Sequence, residues 1–169
     1  MSGSDRPLVL VVGIGNPDRG DDGIGPIVAR MLSGRVPDGV HVLELGSDLL
    51  ALMENWDGAS SVIVVDAVAP ITRPGRIHRI DLAKNPLPVA FAPPSSHAFG
   101  LAEIVELARS LQRLPSCLVA YLVEAEQFET GAPLSPTLAN AVEDVLEQIS
   151  LELSAMLGTL QARGTVSNA

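Results

Sequence analysis

Three side chains in this sequence have the types needed to hold a divalent transition metal: Asp22, Asp66 and His97. Two carboxylate oxygens and one imidazole nitrogen are ligands such an ion accepts, and three protein donors leave positions open for water or substrate. No local ligand spacing unites them, so joint action has to come from the fold. Each also has a plainer reading. Asp22, in the pair Asp21-Asp22, stands just before a helix start and would favour the dipole there. Asp66 ends an apolar run and would cap the turn behind it. His97 follows Ser95-Ser96 and would bond backbone at the start of a helix. His41 and His78 lie in alternating, strand-like stretches, which predicts solvent-facing rings rather than ligands. Cys117 opens a buried strand, where a thiol acts as a small hydrophobe.

The elements that must position these residues follow from hydrophobic periodicity. Leu8 to Val12 is an apolar, mostly β-branched run entering Gly13-Ile14-Gly15-Asn16-Pro17, the profile of a strand buried on both faces that ends in a glycine turn. Gly23 to Gly34 reads as a helix, with Ile24, Ile27, Val28, Met31 and Leu32 on one face and Pro26 in its first turn. Val40 to Leu45 is a second strand, and Asp48 is placed to cap a helix reaching about Trp56. Ser61 to Asp66 is the clearest central strand. Gly75 to Asp81 alternates polar and apolar residues, which suggests an edge strand with one wet face, free to run antiparallel. After a proline-rich connection, Phe99 to Gln112 is helical, Ser116 to Val123 is the last buried strand, and Ser135-Pro136 starts a long final helix.

This alternation predicts a single α/β domain over 1–157. Its form is a three-layer α/β/α sandwich around a mostly parallel sheet of about five strands, mixed if its edge strand reverses. In such a sheet the loops leaving the carboxyl ends of the strands share one edge, and Asp22, Asp66 and His97 all fall there. Residues 158–169 are small and polar, which predicts a flexible tail.

Bulk properties narrow the classes of function. A formal net charge of −9 disfavours non-specific nucleic-acid binding, which relies on cationic neutralisation of phosphates. No apolar run approaches the roughly 18 residues of a membrane span, and Met1 to Pro7 is polar with no apolar signal region. One cysteine excludes an internal disulfide and fits a reducing cytoplasm. Gly13, Gly15 and Gly20 do not fit Gly-x-Gly-x-x-Gly, and no Walker lysine follows, so a nucleotide loop is not expected.

Ordered blocks of the chain resemble the hydrogenase maturation proteases. The strongest is Gly13-Ile14-Gly15-Asn16-Pro17 leading to Asp21-Asp22-Gly23-Ile24-Gly25. Val64-Val65-Asp66-Ala67 and Ser96-His97-Ala98-Phe99-Gly100-Leu101 match the second and third blocks, and Leu134-Ser135-Pro136 the turn before the last helix. The resemblance spans roughly Leu8 to Leu153 and places the family's metal-binding acids on Asp22 and Asp66 and its histidine on His97. It departs after the second strand. The usual Asp-Gly-Gly-Thr-x-Gly is replaced by Glu44-Leu45-Gly46-Ser47-Asp48-Leu49, which alters the substrate-facing loop.

The resemblance implies an endopeptidase that trims the C-terminus of a nickel–iron hydrogenase large-subunit precursor. The nickel would be supplied by that precursor and bound by Asp22, Asp66 and His97, with no cofactor resident in the protease. Either the metal or an adjacent carboxylate would polarise the scissile carbonyl or activate water, and the general base is open between Asp22 and Asp66. Asn16 is expected to shape its turn. The implied setting is the cytoplasm, with no nucleic acid or membrane insertion, and a monomer is compatible. Two alternatives stay open on the residues alone. One is a non-cleaving module that binds nickel and precursor. The other is a peptidyl-tRNA hydrolase-like enzyme, which shares the opening strand-Gly-x-Gly-Asn-Pro but carries a catalytic-histidine block where Asp21-Asp22-Gly23 stands here.

Overall fold

A computed structural model describes residues 8–46, 48–91 and 100–166, with side chains up to residue 163. The strands are β1 (Val9–Ile14), β2 (Val40–Leu45), β3 (Ser61–Val68), β4 (Ile77–Asp81) and β5 (Cys117–Glu124), and the helices are α1 (Ile24–Leu32), α2 (Leu50–Trp56), α3 (Leu101–Ser110) and α4 (Pro136–Val166). One sheet forms in the order β2-β1-β3-β5-β4. Its first four strands are parallel, and β4 runs antiparallel to β5. The expected three-layer sandwich with a mixed edge is therefore the architecture.

The two-residue period of the strands separates two cores. Val9, Val11, Ile63, Val65, Val119, Tyr121 and Val123 pack against α1 and α4. Leu10, Val12, Val62, Val64, Leu118, Ala120 and Leu122 pack against α2 and α3. Because β1 has β2 on one side and β3 on the other, the chain reverses its direction of advance between β1 and β3. That reversal opens a crevice beyond their carboxyl ends, the usual ligand position in an open α/β sheet.

The crevice depends on close backbone contact. A Cβ at Gly25, in the first turn of α1, would lie 2.3 Å from the carbonyl oxygen of Ile14 and 2.6 Å from that of Val65. A Cβ at Gly13 would lie 2.1 Å from the Gly25 carbonyl oxygen. Only glycine lets the helix rest directly on β1 and β3.

Three expectations need correction. Asp48 does not cap α2: the N-cap is Leu49, with no side-chain cap hydrogen bond, and Asp48 is exposed. His78 is not solvent-facing, because neither face of β4 is fully wet. His78 and Ile80 point to the α3 side, where the His78 ring meets Phe91 edge-on at 4.8 Å. Arg79, on the other face, is held by Glu152 of α4 through Nε and Nη2 at 2.6 and 2.9 Å. Finally, the helix does not stop at Gly158. It continues to Val166, since Leu157 and Leu160 extend the apolar stripe of Ile149, Leu153 and Met156 onto the core.

Two stability outcomes follow. Gly25→Ala forces a methyl onto backbone atoms that cannot rotate away, and should cost about 3 kcal/mol in urea unfolding, the upper range for overpacking. Gly158 has no heavy atom within 4 Å of an added Cβ. Because it lies in a helix, Gly158→Ala should raise stability by about 0.5–1 kcal/mol. No gain would show that this end of α4 does not hold helix in solution.

Candidate active site

Four carboxylates gather at the carboxyl edge of the sheet, and their hydrogen bonding divides them into two kinds. A carboxylate offers about four acceptor positions. Asp21, fully buried in the 3-10 turn Gly20–Gly23, fills them. Its Oδ2 accepts the amides of Glu126 and Gln127 at 3.0 and 3.1 Å and the Ser135 hydroxyl at 3.0 Å. Its Oδ1 accepts the Ser135 amide at 2.7 Å.

Glu124, at the end of β5 and also fully buried, is equally saturated. Its Oε2 accepts the amides of Ile71, Thr72 and Arg73 at 2.7–2.9 Å. Its Oε1 accepts the Thr72 hydroxyl at 2.8 Å and lies 2.7 Å from Nε2 of His78. Burial alone would raise this acid, but the bonds from His78, Thr72 and Ile71 outweigh it and hold the carboxyl down at about 2. Sequence reading missed Glu124. Its only signal is an acid closing an otherwise apolar run, as Asp66 does after Val62-Ile63-Val64-Val65.

Asp22 and Asp66 are different. Asp22 is half-buried and Oδ2 accepts one bond, from the amide of Asn16 at 2.9 Å. The turn that brings it there needs Gly15, whose φ is +131° and whose Cβ, if present, would lie 1.9 Å from the Asp22 carbonyl oxygen. Asn16 shapes this turn as expected, its Oδ1 accepting the Asp18 amide at 2.9 Å.

Asp66 accepts one bond, from the amide of Ala67 at 2.8 Å. Strand parity puts it on the side of Val62 and Val64, the side packed by α2 and α3. Burial first, then the negative charge of Asp22, push the Asp66 carboxyl up to about 8 against the favourable Ala67 amide. The fold thus brings Asp22 and Asp66 into electrostatic contact, and among the described residues most of their acceptor positions are unused. A pair of such acids in a crevice can receive a cation, hold a proton or activate water.

Asp66 is not the last residue of its strand, since β3 continues to Val68. His97 lies outside the described residues, as does Ser47 of the altered loop. Among the described residues no group of three His, Cys, Asp or Glu side chains could hold a metal. His41 is exposed, in keeping with its alternating strand, and Cys117 is a partly buried free thiol.

The raised Asp66 has a signed consequence for stability. The folded chain keeps this proton up to about pH 8, whereas the unfolded acid releases it near 3.8. Its contribution to stability therefore falls as pH rises through that window. Asp66→Asn lacks the dependence. Thermal midpoints of variant and parent should diverge in the variant's favour from pH 5 to pH 8 and then run parallel. A constant difference would mean that Asp66 is ionised throughout.

The chain is similar to known proteins. The model of the HycI family, hydrogenase maturation proteases, matches residues 27–152, a span that takes in Asp66 and His97 and begins just after Asp22. The hydrogenase 2 maturation protease of Escherichia coli (strain K12) is 30% identical over 145 residues, covering 83% of this chain and 87% of its own. The hydrogenase expression/formation protein HupD of Bradyrhizobium diazoefficiens is 31% identical over 137 residues, covering 79% and 71%. Among solved structures, the hydrogenase maturating endopeptidase HybD from E. coli superposes with a TM-score of 0.73 at 26% identity, over 87% of this chain and 92% of that one.

Proposed function

This chain belongs to the hydrogenase maturation protease family and is a peptidase, and on that premise we propose that it removes the C-terminal extension of a nickel–iron hydrogenase large-subunit precursor after nickel insertion. Nickel carried by the precursor is recognised by Asp22, Asp66 and His97. The observation that carries this reading is the contrast at the sheet edge: Asp21 and Glu124 are saturated with hydrogen bonds, while among the described residues Asp22 and Asp66 each have one partner. Unused carboxylate oxygens in a crevice suit a cation brought by another molecule. The segment bearing His97 leads into α3, which packs on the face that Asp66 shares.

Membership of a peptidase family sets aside the non-cleaving module and the peptidyl-tRNA hydrolase-like enzyme. In the reading proposed here, Asp66 holds a proton in the free enzyme and gives it up when the substrate's nickel arrives, so engagement weakens as pH falls. Nickel held by Asp22, Asp66 and His97 would supply a Lewis acid for the scissile carbonyl or a water, and a free oxygen of Asp22 or Asp66 would accept the proton that the water releases. The reaction belongs in the cytoplasm, where the free thiol of Cys117 stays reduced. No helix among the described residues is long and apolar enough to cross a membrane.

Incubation with nickel-loaded and nickel-free precursor, with products weighed by mass spectrometry, tests the reading. A short C-terminal peptide should leave only the loaded form. Asp66→Asn and His97→Ala should each slow processing by more than about a hundredfold, the upper end for losing mere outer-shell support. Equal cleavage of the nickel-free form, or full rate in His97→Ala, would overturn it.

A further inference from the structure

We propose that Asp21 and Ser135 form a positioning latch that sets the carboxylate of Asp22 from the start of α4. The inference rests on the reading of Asp22 as a site residue and goes beyond it, because Ser135 is 114 residues from Asp21 in sequence. Asp21 and Asp22 share one 3-10 turn, so the backbone that carries Asp22 moves with Asp21. The Ser135 hydroxyl donates to Asp21 Oδ2 at 3.0 Å and accepts the Leu138 amide at 3.3 Å, linking the turn to the first turn of α4. That helix is fixed to the sheet by Leu138, Val142, Val145 and Ile149, all buried.

Backbone bonds reinforce the latch on both sides. The Asp21 amide donates to the Gln127 carbonyl at 2.8 Å, the Gly20 amide to Ala132 at 3.0 Å, and the Gly131 amide to Asp18 at 2.7 Å. The Asp22 side chain, by contrast, has only the Asn16 amide as partner among the described residues. Its placement is therefore inherited from the turn, and the turn's placement from Ser135 and the 126–135 connection. A metal-binding or reacting carboxylate tolerates about 0.5 Å of misplacement, and remote errors near 1 Å can cost about a hundredfold in rate. Asp21 and Ser135 are positioning residues, acting through Asp22.

Because the Asn16 amide donates to Asp22, its NMR resonance reports where that carboxylate sits. The test compares amide spectra of the full chain in three variants. Ser135→Ala should move the Asn16 resonance upfield, away from its charge-assisted position, and Asp21→Asn should move it further. Met156→Ala weakens the packing of α4 about six turns beyond Ser135 and should leave Asn16 in place. With nickel-loaded precursor, Ser135→Ala should lower kcat about tenfold or more while KM stays within about twofold. An unmoved Asn16 in Ser135→Ala, or an equal movement in Met156→Ala, overturns the latch. If the parent fails to cut the precursor, the proposed function is what fails, and the Asn16 resonance still decides the latch.

Discussion

The arrangement of this molecule rests on one close contact, the first turn of α1 lying on the backbones of β1 and β3. Gly25 meets the carbonyls of Ile14 and Val65 at distances that no Cβ could share, and Gly13 returns the contact from the strand side. The consequence reaches past packing density. A helix seated this low brings the turn before it down to the carboxyl half of β3, where Asp66 stands. With a methyl at either position the helix would ride higher and carry Asp22 away from its partner. The apolar residues of α1, Ile24, Val28 and Leu32, hold the helix on the sheet, but the glycines fix its height.

The carboxyl edge shows how a fold can bury acids for opposite purposes. Desolvating a carboxylate costs several kcal/mol unless hydrogen bonds replace the lost water. Asp21 and Glu124 receive that replacement in full from backbone amides and hydroxyls, and each uses it to tie a long connection to the sheet. Glu124 gathers residues 71–73 after β3, and Asp21 gathers residues 126–135 after β5. Both loops that flank the crevice are thus tied to the sheet by hydrogen bonds to a buried acid. Among the described residues Asp22 and Asp66 are left short of partners, and burial beside the Asp22 charge raises Asp66. Bonding state separates Asp21 and Glu124 from Asp22 and Asp66.

The architecture was legible in the sequence because it is written in local patterns. The five strands, their edge reversal and the four helices follow from apolar periods, glycine turns and the Ser135-Pro136 start. Asp22 and Asp66 were legible as well, since strand ends in a parallel sheet converge whatever their separation in sequence. What escaped were pairings made across the chain. Glu124 and His78 are 46 residues apart and look like an ordinary strand end and an alternating polar residue. Nothing in their neighbourhoods announces that one will accept a bond from the other. Asp48 illustrates the converse: a good capping residue stands at a helix start and leaves the role unused, because α2 begins one residue later without a side-chain cap. Beyond Gly158, small polar residues masked the spacing of Leu157 and Leu160, which is what continues the helix.

The pair of acids is also a conditional device. With no cation between them, Asp22 and Asp66 cannot both ionise cheaply, and Asp66 keeps its proton near neutrality. A positive charge entering the crevice would remove the second cause of that shift and oppose the first, so the proton would leave as the cation bound. Below about pH 8 the free enzyme is spared a second like charge beside Asp22. On the proposed function, a raised acid of this kind would exchange its proton for the metal that the substrate brings, and the charge state of the site would be completed by the molecule it acts on.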